Sequence, residues 1–407
     1  MADRGAEPGE RRCKAAGAPG ELSFIAPPTV DFAALQINNT SKRASLRTAT
    51  FDDCEQIAAV EEANGISAKP REQWLHLWQN NPAYQYVSAW PIGWVLEEED
   101  GRIVGSLGNV PCLYRFGGRT YVAGFGRGWA VNTAYRALSL QMLSRQRRQP
   151  GVDLRLTTTA SATTSAVLTN SGWSRVPVGQ WDRAAFWVTN YTETVKRYLA
   201  AKVPGVLSGL AGTLLSPPVL VKGTTAARPR RSQAGCELSW DANFDERFDR
   251  FWEELESRNA EVLLSVRTRQ TLTWHFKYSL EEGRIWVLTA CDGHRLLAYA
   301  IFERLQTPSL ALTRILLIDF QTLAKDPNLV SAMISYALER CRQEHVHVLD
   351  NVGCWLEEKQ PLVRRASHRR DMGAWGYWYQ AANPELAAAL QNPEAWYPTQ
   401  YDADTSL

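Results

Sequence analysis

Residues 129–173 read WAVNTAYRALSLQMLSRQRRQPGVDLRLTTTASATTSAVLTNSGW, and the order of patterns in this stretch decides the fold. An apolar strand (128–131) runs through a polar turn carrying Arg136 into a helix, then a second strand (152–158), a small-residue helix and Gly172-Trp173. A strand that feeds a turn and a helix N-terminus gathers backbone N–H groups beside the positive end of the helix dipole, which is an anion site suited to a pyrophosphate.

Outward from this unit, Leu46–Ala49 reads as a strand and Thr50–Asp53 as capping chemistry for a helix through Ile57, Ala58 and Val60. Gly65 would end that helix, and Trp74 to Trp78 mark another. A chain of strands is predicted next, at 93–97, 103–109, 112–116, 120–123 and 128–131, with Asp100-Gly101 and Gly117-Gly118 as hairpin turns. A strand pair, 174–178 with 183–188, closes the first half. Residues 194–235 are apolar and broken by Pro and Gly, then basic at Lys222, Arg228, Arg230 and Arg231. They read as a linker; the same composition would also fit a weak contact with an anionic membrane surface. From Cys236 the order repeats: helices around Phe244–Leu255 and closing at Trp274-His275-Phe276, strands at 285–289, 296–302 and 312–320, a helix 328–343, a strand 345–349, a helix 355–365 and an aromatic strand 373–380. Each half mixes an antiparallel meander with one βαβ crossover, an α+β plan with a splayed sheet rather than a doubly wound one.

The chain has 407 residues, 45% of them hydrophobic, with 45 basic against 43 acidic side chains, enough for two or three cores and without the basic excess of a general nucleic-acid binder. The seven cysteines form no C-x-x-C pair and read as free thiols of a reducing compartment; with no apolar leader and no run long enough to span a bilayer, a cytoplasmic location is expected. Residues 1–43 are expected to be disordered and 386–407 to be a tail.

These features resemble the GCN5-related N-acetyltransferase (acyl-CoA N-acyltransferase) superfamily in a tandem two-domain form. The first half carries the likeness: the opening strand and Asp52-Asp53 cap, Gly105 in the third strand, Trp129–Arg136 before the cofactor loop, and Gly172-Trp173. The resemblance implies two α+β domains, 44–193 and 236–385, each a mixed, mainly antiparallel splayed sheet with flanking helices. It further implies transfer of an acetyl or other acyl group from acyl-CoA to an amine, on a small molecule or a glycan precursor. Carried over, Trp129, Ala130 and Val131 would face the pantetheine arm, and Arg136, Ala137, Leu138, Ser139 and Leu140 would cradle the pyrophosphate. The chain departs from the pattern at Ser139 and Gln141, where small residues are usual, and at Leu168, where a tyrosine often serves as acid. Lys325–Asp326–Pro327–Asn328 in the second half would oppose a phosphate, so cofactor is expected in the first half only. Alternatives are an aminoacyl-tRNA-dependent Fem-type transferase and a non-catalytic binding protein.

For the general base, no acid lies between Tyr121 and Pro150, while Asp319 and Glu303 flank apolar strands where burial raises a carboxyl pKa. The alternative for both is a strand-end cap or a salt bridge to Arg304 or Arg314. His345 and His347 are read as alternating on one strand without the partners of a metal site, and no metal is expected.

Overall fold

A computed structural model describes residues 43–87, 89–178, 181–202, 236–323, 326–353, 368–372 and 376–402. The expected disordered segment, the basic part of the linker and the helix expected at 355–365 lie outside these residues. The first sheet begins with β1 (Ser45–Thr48), β2 (Gly93–Glu97), β3 (Ile103–Phe116), β4 (Arg119–Val131) and β5 (Leu154–Ala160), each paired to the next. The short strands predicted on either side of Pro111 and Gly124 are two long ones. Pro111 is tolerated within β3 because its carbonyl accepts from Asn81 Nδ2 (2.9 Å), so the side lacking an N–H faces away from β4.

Helix α1 (Cys54–Ala63) starts where Asp53 accepts from the Thr50 N–H (2.7 Å), and α2 (Arg71–Gln79) buries Trp74, Leu77 and Trp78. After β4 come α3 (Ser139–Arg147), then β5, α4 (Ala162–Asn170) with Ser161 as its cap, β6 (Ser174–Arg175) and β7 (Arg183–Val188). Helix α5 (Tyr191–Lys202) occupies the start of the expected linker.

The second sheet is built from β8 (Glu237–Asp241), β10 (Ile285–Asp292), β11 (Arg295–Thr307), β12 (Leu312–Thr322) and β13 (Val348–Val352); the two-residue β9 (Leu264–Ser265) joins β3 instead. Its helices are α6 (Glu246–Arg258), capped by Asp245, α7 (Arg269–Glu281), capped by Thr268, and α8 (Pro327–Gln343), capped by Asp326. His275 is therefore mid-helix. β13 starts after both expected strand histidines: His345 lies in a left-handed turn, and His347 Nδ1 accepts from the Thr313 N–H (3.0 Å).

The main departure from expectation concerns the last strand of each half. β6 and β7 do not pair with each other. β7 crosses into the second sheet, between β13 and β14 (His368–Asp371), while β15 (Gly376–Ala381) crosses into the first, between β5 and β6. The two sheets then have equivalent orders, β1-β2-β3-β4-β5-β15-β6 and β8-β10-β11-β12-β13-β7-β14. The sequence boundaries at 193 and 236 cut across this exchange. The expected tail is packed as well: α9 (Pro384–Ala389) follows β15, and Trp396 and Tyr401 are buried. Among the described residues, no helix is long and apolar enough to cross a membrane, and Cys54, Cys112, Cys236, Cys291 and Cys341 are free thiols.

The exchange makes each sheet depend on the other half of the chain. A fragment ending at Lys202 leaves β5 and β6 without β15 and exposes the surface that Tyr377 and Tyr379 cover. It is expected to show no cooperative thermal transition alone, and to gain one when mixed with residues 236–407; circular dichroism melts check both.

Candidate active site

Parallel pairing of β4 with β5 is confined to Ala123, Gly124 and Phe125 against Leu154, Arg155 and Leu156. Beyond Phe125 the strands part, since β5 continues along β15 while β4 stays with β3. The β3–β4 register shifts between Ser106 and Gly108, and the extra residues on β4 form a bulge at Gly128, whose φ is +62°. Ser106 Oγ donates to the Gly128 carbonyl (3.3 Å).

Beside this parting, Trp129 of β4 packs against a buried cluster of Leu143, Ala160, Leu168, Trp173 and Trp378. Gln146 reaches over the backbone of Gly126, where a Cβ would sit 3.1 Å from its amide nitrogen. Three donors near the parting are buried without an acceptor among the described residues, Trp129 Nε1, Gln146 Nε2 and Trp173 Nε1. Buried donors without partners are costly, and a ligand that brings carbonyl oxygens into the gap would satisfy them. The amide-bearing arm of an acyl-CoA fits that requirement.

The expected pyrophosphate turn is wound more tightly than an open loop. Residues Thr133–Leu138 form a 3-10 helix that runs straight into α3, with Tyr135 N–H donating to Asn132 O (2.8 Å) and Ser139 N–H to Arg136 O. Ser139 Oγ also donates to Arg136 O (2.7 Å). Leu140 is exposed, and Leu168 is core.

A carboxylate not singled out in the sequence meets the bulge from the other side. Glu61 lies on the buried face of α1 with Ile57 and Val60, and is 3% exposed. A Cβ on Gly128 would fall 2.1 Å from Glu61 Oε1, so the carboxylate rests directly on the Gly128 backbone. Arg127 Nη1 donates to Oε1 at 3.3 Å, and Oε2 has no partner among the described residues. Burial pushes the Glu61 pKa above the ordinary carboxylate range, with the Arg127 and Lys69 charges opposing it. The available sequence signal was a glutamate four residues after Ile57 on an otherwise apolar helix face.

The two acids named from sequence sit differently. Glu303, on β11, accepts from Ser279 Oγ (2.9 Å) and from Arg284, and its charge reaches Lys69, which also feels Glu61, Arg127 and Arg284. Asp319 is fully buried in the second sheet, where it accepts from Arg267 Nε (2.8 Å), Tyr299 Oη (3.0 Å), Thr399 Oγ1 (2.9 Å) and Gln321 Nε2 (2.9 Å). Its salt-bridge partner is thus Arg267, whereas Arg304 pairs with Glu344 and Arg314 with Asp350.

The second sheet repeats the parting, with β12 and β13 paired only from Arg314 to Leu316. There the C-terminal segment bridges the opening: Tyr397 Oη donates to Phe320 O (2.7 Å) on β12, and Gln400 Nε2 to Val352 O (3.3 Å) on β13. Thr399 and Asp402 join the Arg267–Asp319 network behind them. Main-chain acceptors that a cofactor could use in the first half are here occupied by the chain itself.

No protein-family model and no curated protein sequence matches this chain. Among solved structures it is similar to a Saccharomyces cerevisiae N-myristoyltransferase with bound myristoyl-CoA and inhibitors, at 11% identity and a TM-score of 0.52, covering 93% of this chain and 87% of that one. A probable N-acyltransferase of unknown function from Enterococcus faecalis V583 aligns at 8% identity and a TM-score of 0.51, over 84% of this chain and 72% of the other. A GCN5-related N-acetyltransferase from Anabaena variabilis ATCC 29413 gives 11% identity, 84% and 73% coverage and a TM-score of 0.47. The first two likenesses show that this chain shares the fold of those two proteins.

Proposed function

We propose that the protein transfers an acyl group from acyl-CoA to an amine, that the gap between β4 and β5 receives the donor, and that Glu61 is the general base. The observation that carries this reading is the parting of β4 from β5, with unsatisfied buried donors along it and a buried carboxylate at its bulge. The yeast protein of the same fold carries myristoyl-CoA, which supports an acyl-CoA donor without specifying the chain length.

Acyl-CoA would supply the activated carbonyl. The chain's own residues bind and orient it and move one proton. Trp129, Gln146 and Trp173 donate hydrogen bonds into the gap, while Trp129, Ala130 and Val131, the Arg136–Leu140 segment and the start of α3 flank it. An amine arrives largely as an ammonium and must lose a proton before it can attack. A carboxylate with a raised pKa, held beside the strand bulge, accepts that proton more readily than an ordinary surface glutamate. As the amide bond forms and the C–S bond breaks, protonated Glu61 gives its proton to the departing thiolate, and the nitrogen's second proton leaves to Glu61 and on to solvent. The Arg127 charge, and then that of Lys69, opposes the upward shift of Glu61; the Lys69 pKa is itself lowered to about 8, chiefly by burial and by Arg127.

Calorimetric titration with acetyl-CoA and longer acyl-CoAs tests donor binding; no heat at millimolar donor with any of them would overturn the proposal. For the base, Glu61→Gln is expected to lower kcat by about 10²-fold or more. Glu61 acts while deprotonated, so the wild-type rate should fall as pH drops through its raised pKa, and the variant should lose that acid limb. An unchanged acid limb in Glu61→Gln would remove Glu61 from the role.

A further inference from the structure

Lys69 lies between α1 and α2 and lines a small open cleft between the two halves, with Gln73 and His76 from α2, Trp274 and Tyr278 from α7, and Arg284 from the turn before β10. Glu61 on α1 is paired with Arg127 on β4, and Arg284 is shared by Glu303 on β11 and Glu282. These ion pairs leave Lys69 out: among the described residues it makes no hydrogen bond or ion pair. Burial, then Arg127, lowers its pKa to about 8, with Arg284 acting the same way and Glu303 and Glu61 opposing. A partly buried ammonium with no bonded counter-ion is costly, and a ligand carboxylate would supply one.

The rest of the lining indicates what kind of anion fits. His76 uses both ring nitrogens within the protein, on Trp274 O (2.9 Å) and Asn80 Oδ1 (3.1 Å), so it serves as wall. Gln73 has no hydrogen-bond partner among the described residues and can donate. The indole of Trp274 and the ring of Tyr278 complete a largely aromatic surface, which suits the carbon body of an organic acid better than a bare inorganic ion. We infer that this cleft holds the carboxylate of an acceptor that carries both an amine and a carboxylate, with Lys69 as its counter-ion and Gln73 as a second donor. The inference rests on the acyl-transfer reading for the amine; the carboxylate subsite stands on the cleft itself.

Because the acceptor is unidentified, the test uses product-like probes: N-acetyl-L-phenylalanine, N-acetyl-L-leucine, their amides, and a hexapeptide with a free or an amidated C-terminus. The full-length protein is trace-labelled with acetic anhydride from pH 6 to 10, and the Lys69 peptide is read by mass spectrometry. A carboxylate seated on Lys69 is expected to raise its labelling pKa by about 1–3 units. The groups that set the baseline are Glu61, Arg127, Arg284 and Glu303. The acids should produce the shift and the amides should not, and Lys69→Met should abolish the difference between acid and amide in thermal stabilisation. Response to the N-acetyl amino acids assigns a small-molecule acceptor, and response to the free-carboxyl peptide alone assigns a peptide. Equal behaviour of acids and amides, or no shift with any probe, overturns the subsite. Acetyl-CoA titration run in parallel separates the two claims. Failure there, with Lys69 responding to acids, sinks acyl transfer alone; donor binding with an indifferent Lys69 sinks the subsite alone.

Discussion

Asp319→Ala should destabilise the protein by about 3–5 kcal/mol, the usual cost of removing one partner of a buried ion pair. Arg267 is 1% exposed and Asp319 fully buried, and the pair is reinforced by Tyr299, Thr399 and Gln321. Removing the carboxylate leaves a guanidinium with one remaining acid, Asp402, whose own pKa burial already pushes upward against the Arg267 charge. The loss should extend beyond the second sheet. Thr399 and Asp402 belong to the C-terminal segment, which follows directly after β15 and α9, so weakening its anchor also weakens the strand given to the first sheet. Urea unfolding followed by tryptophan fluorescence measures the change, and a loss below about 1 kcal/mol would show that the network is incidental. Asp319→Asn, which keeps the shape, separates a structural from a catalytic role: a full rate with lowered stability assigns Asp319 to the fold.

Gly128→Val is expected to abolish acyl transfer and to cost about 1–3 kcal/mol of stability. Two separate effects combine there. Gly128 has a φ of +62°, a conformation that a β-branched residue rarely adopts. A Cβ at this site would also lie 2.1 Å from Glu61 Oε1, so the carboxylate must leave the bulge. Glu61 has little room to move, being buried with Arg127 as its bonded neighbour. The variant should therefore match or exceed the loss in Glu61→Gln, and displacement of the neighbouring Trp129 should weaken donor binding as well. Release of CoA thiol measures the rate, and calorimetry the binding. A Gly128→Val protein with wild-type rate would mean that neither the bulge nor Glu61 takes part.

Local chemistry was legible from the residues alone. Asp100-Gly101 and Gly117-Gly118 turn hairpins as expected, and Ser161, Asp245, Thr268 and Asp326 cap helices through their own side chains. The buried faces of α6 and α8 follow the helical repeat of Phe248, Phe251, Trp252 and Leu255, and of Leu329, Met333, Ala337 and Cys341. Such features depend on residues within about one turn of each other. The splayed meander with its crossover was recognisable for the same reason, since each unit joins neighbours in sequence. Pro111 misled because its missing N–H matters only if that side of β3 is paired, which depends on distant strands.

What the sequence by itself determined is thus an α+β chain of two similar halves, with a strand–turn–helix unit at 129–147. Only the tertiary structure decided that β7 and β15 trade sheets, that the C-terminal segment closes the second parting, and that Glu61 rather than a strand acid meets the bulge of β4. The physical reason is shared. Backbone pairing does not read side-chain identity, so an alternating strand such as Arg183–Val188 can complete either of two equivalent sheet edges. Its partner is set by where the connecting chain can reach and by the surface waiting to be covered. A glutamate on an apolar helix face likewise acquires its proposed role only when a distant strand packs its glycine bulge, Gly128, against it.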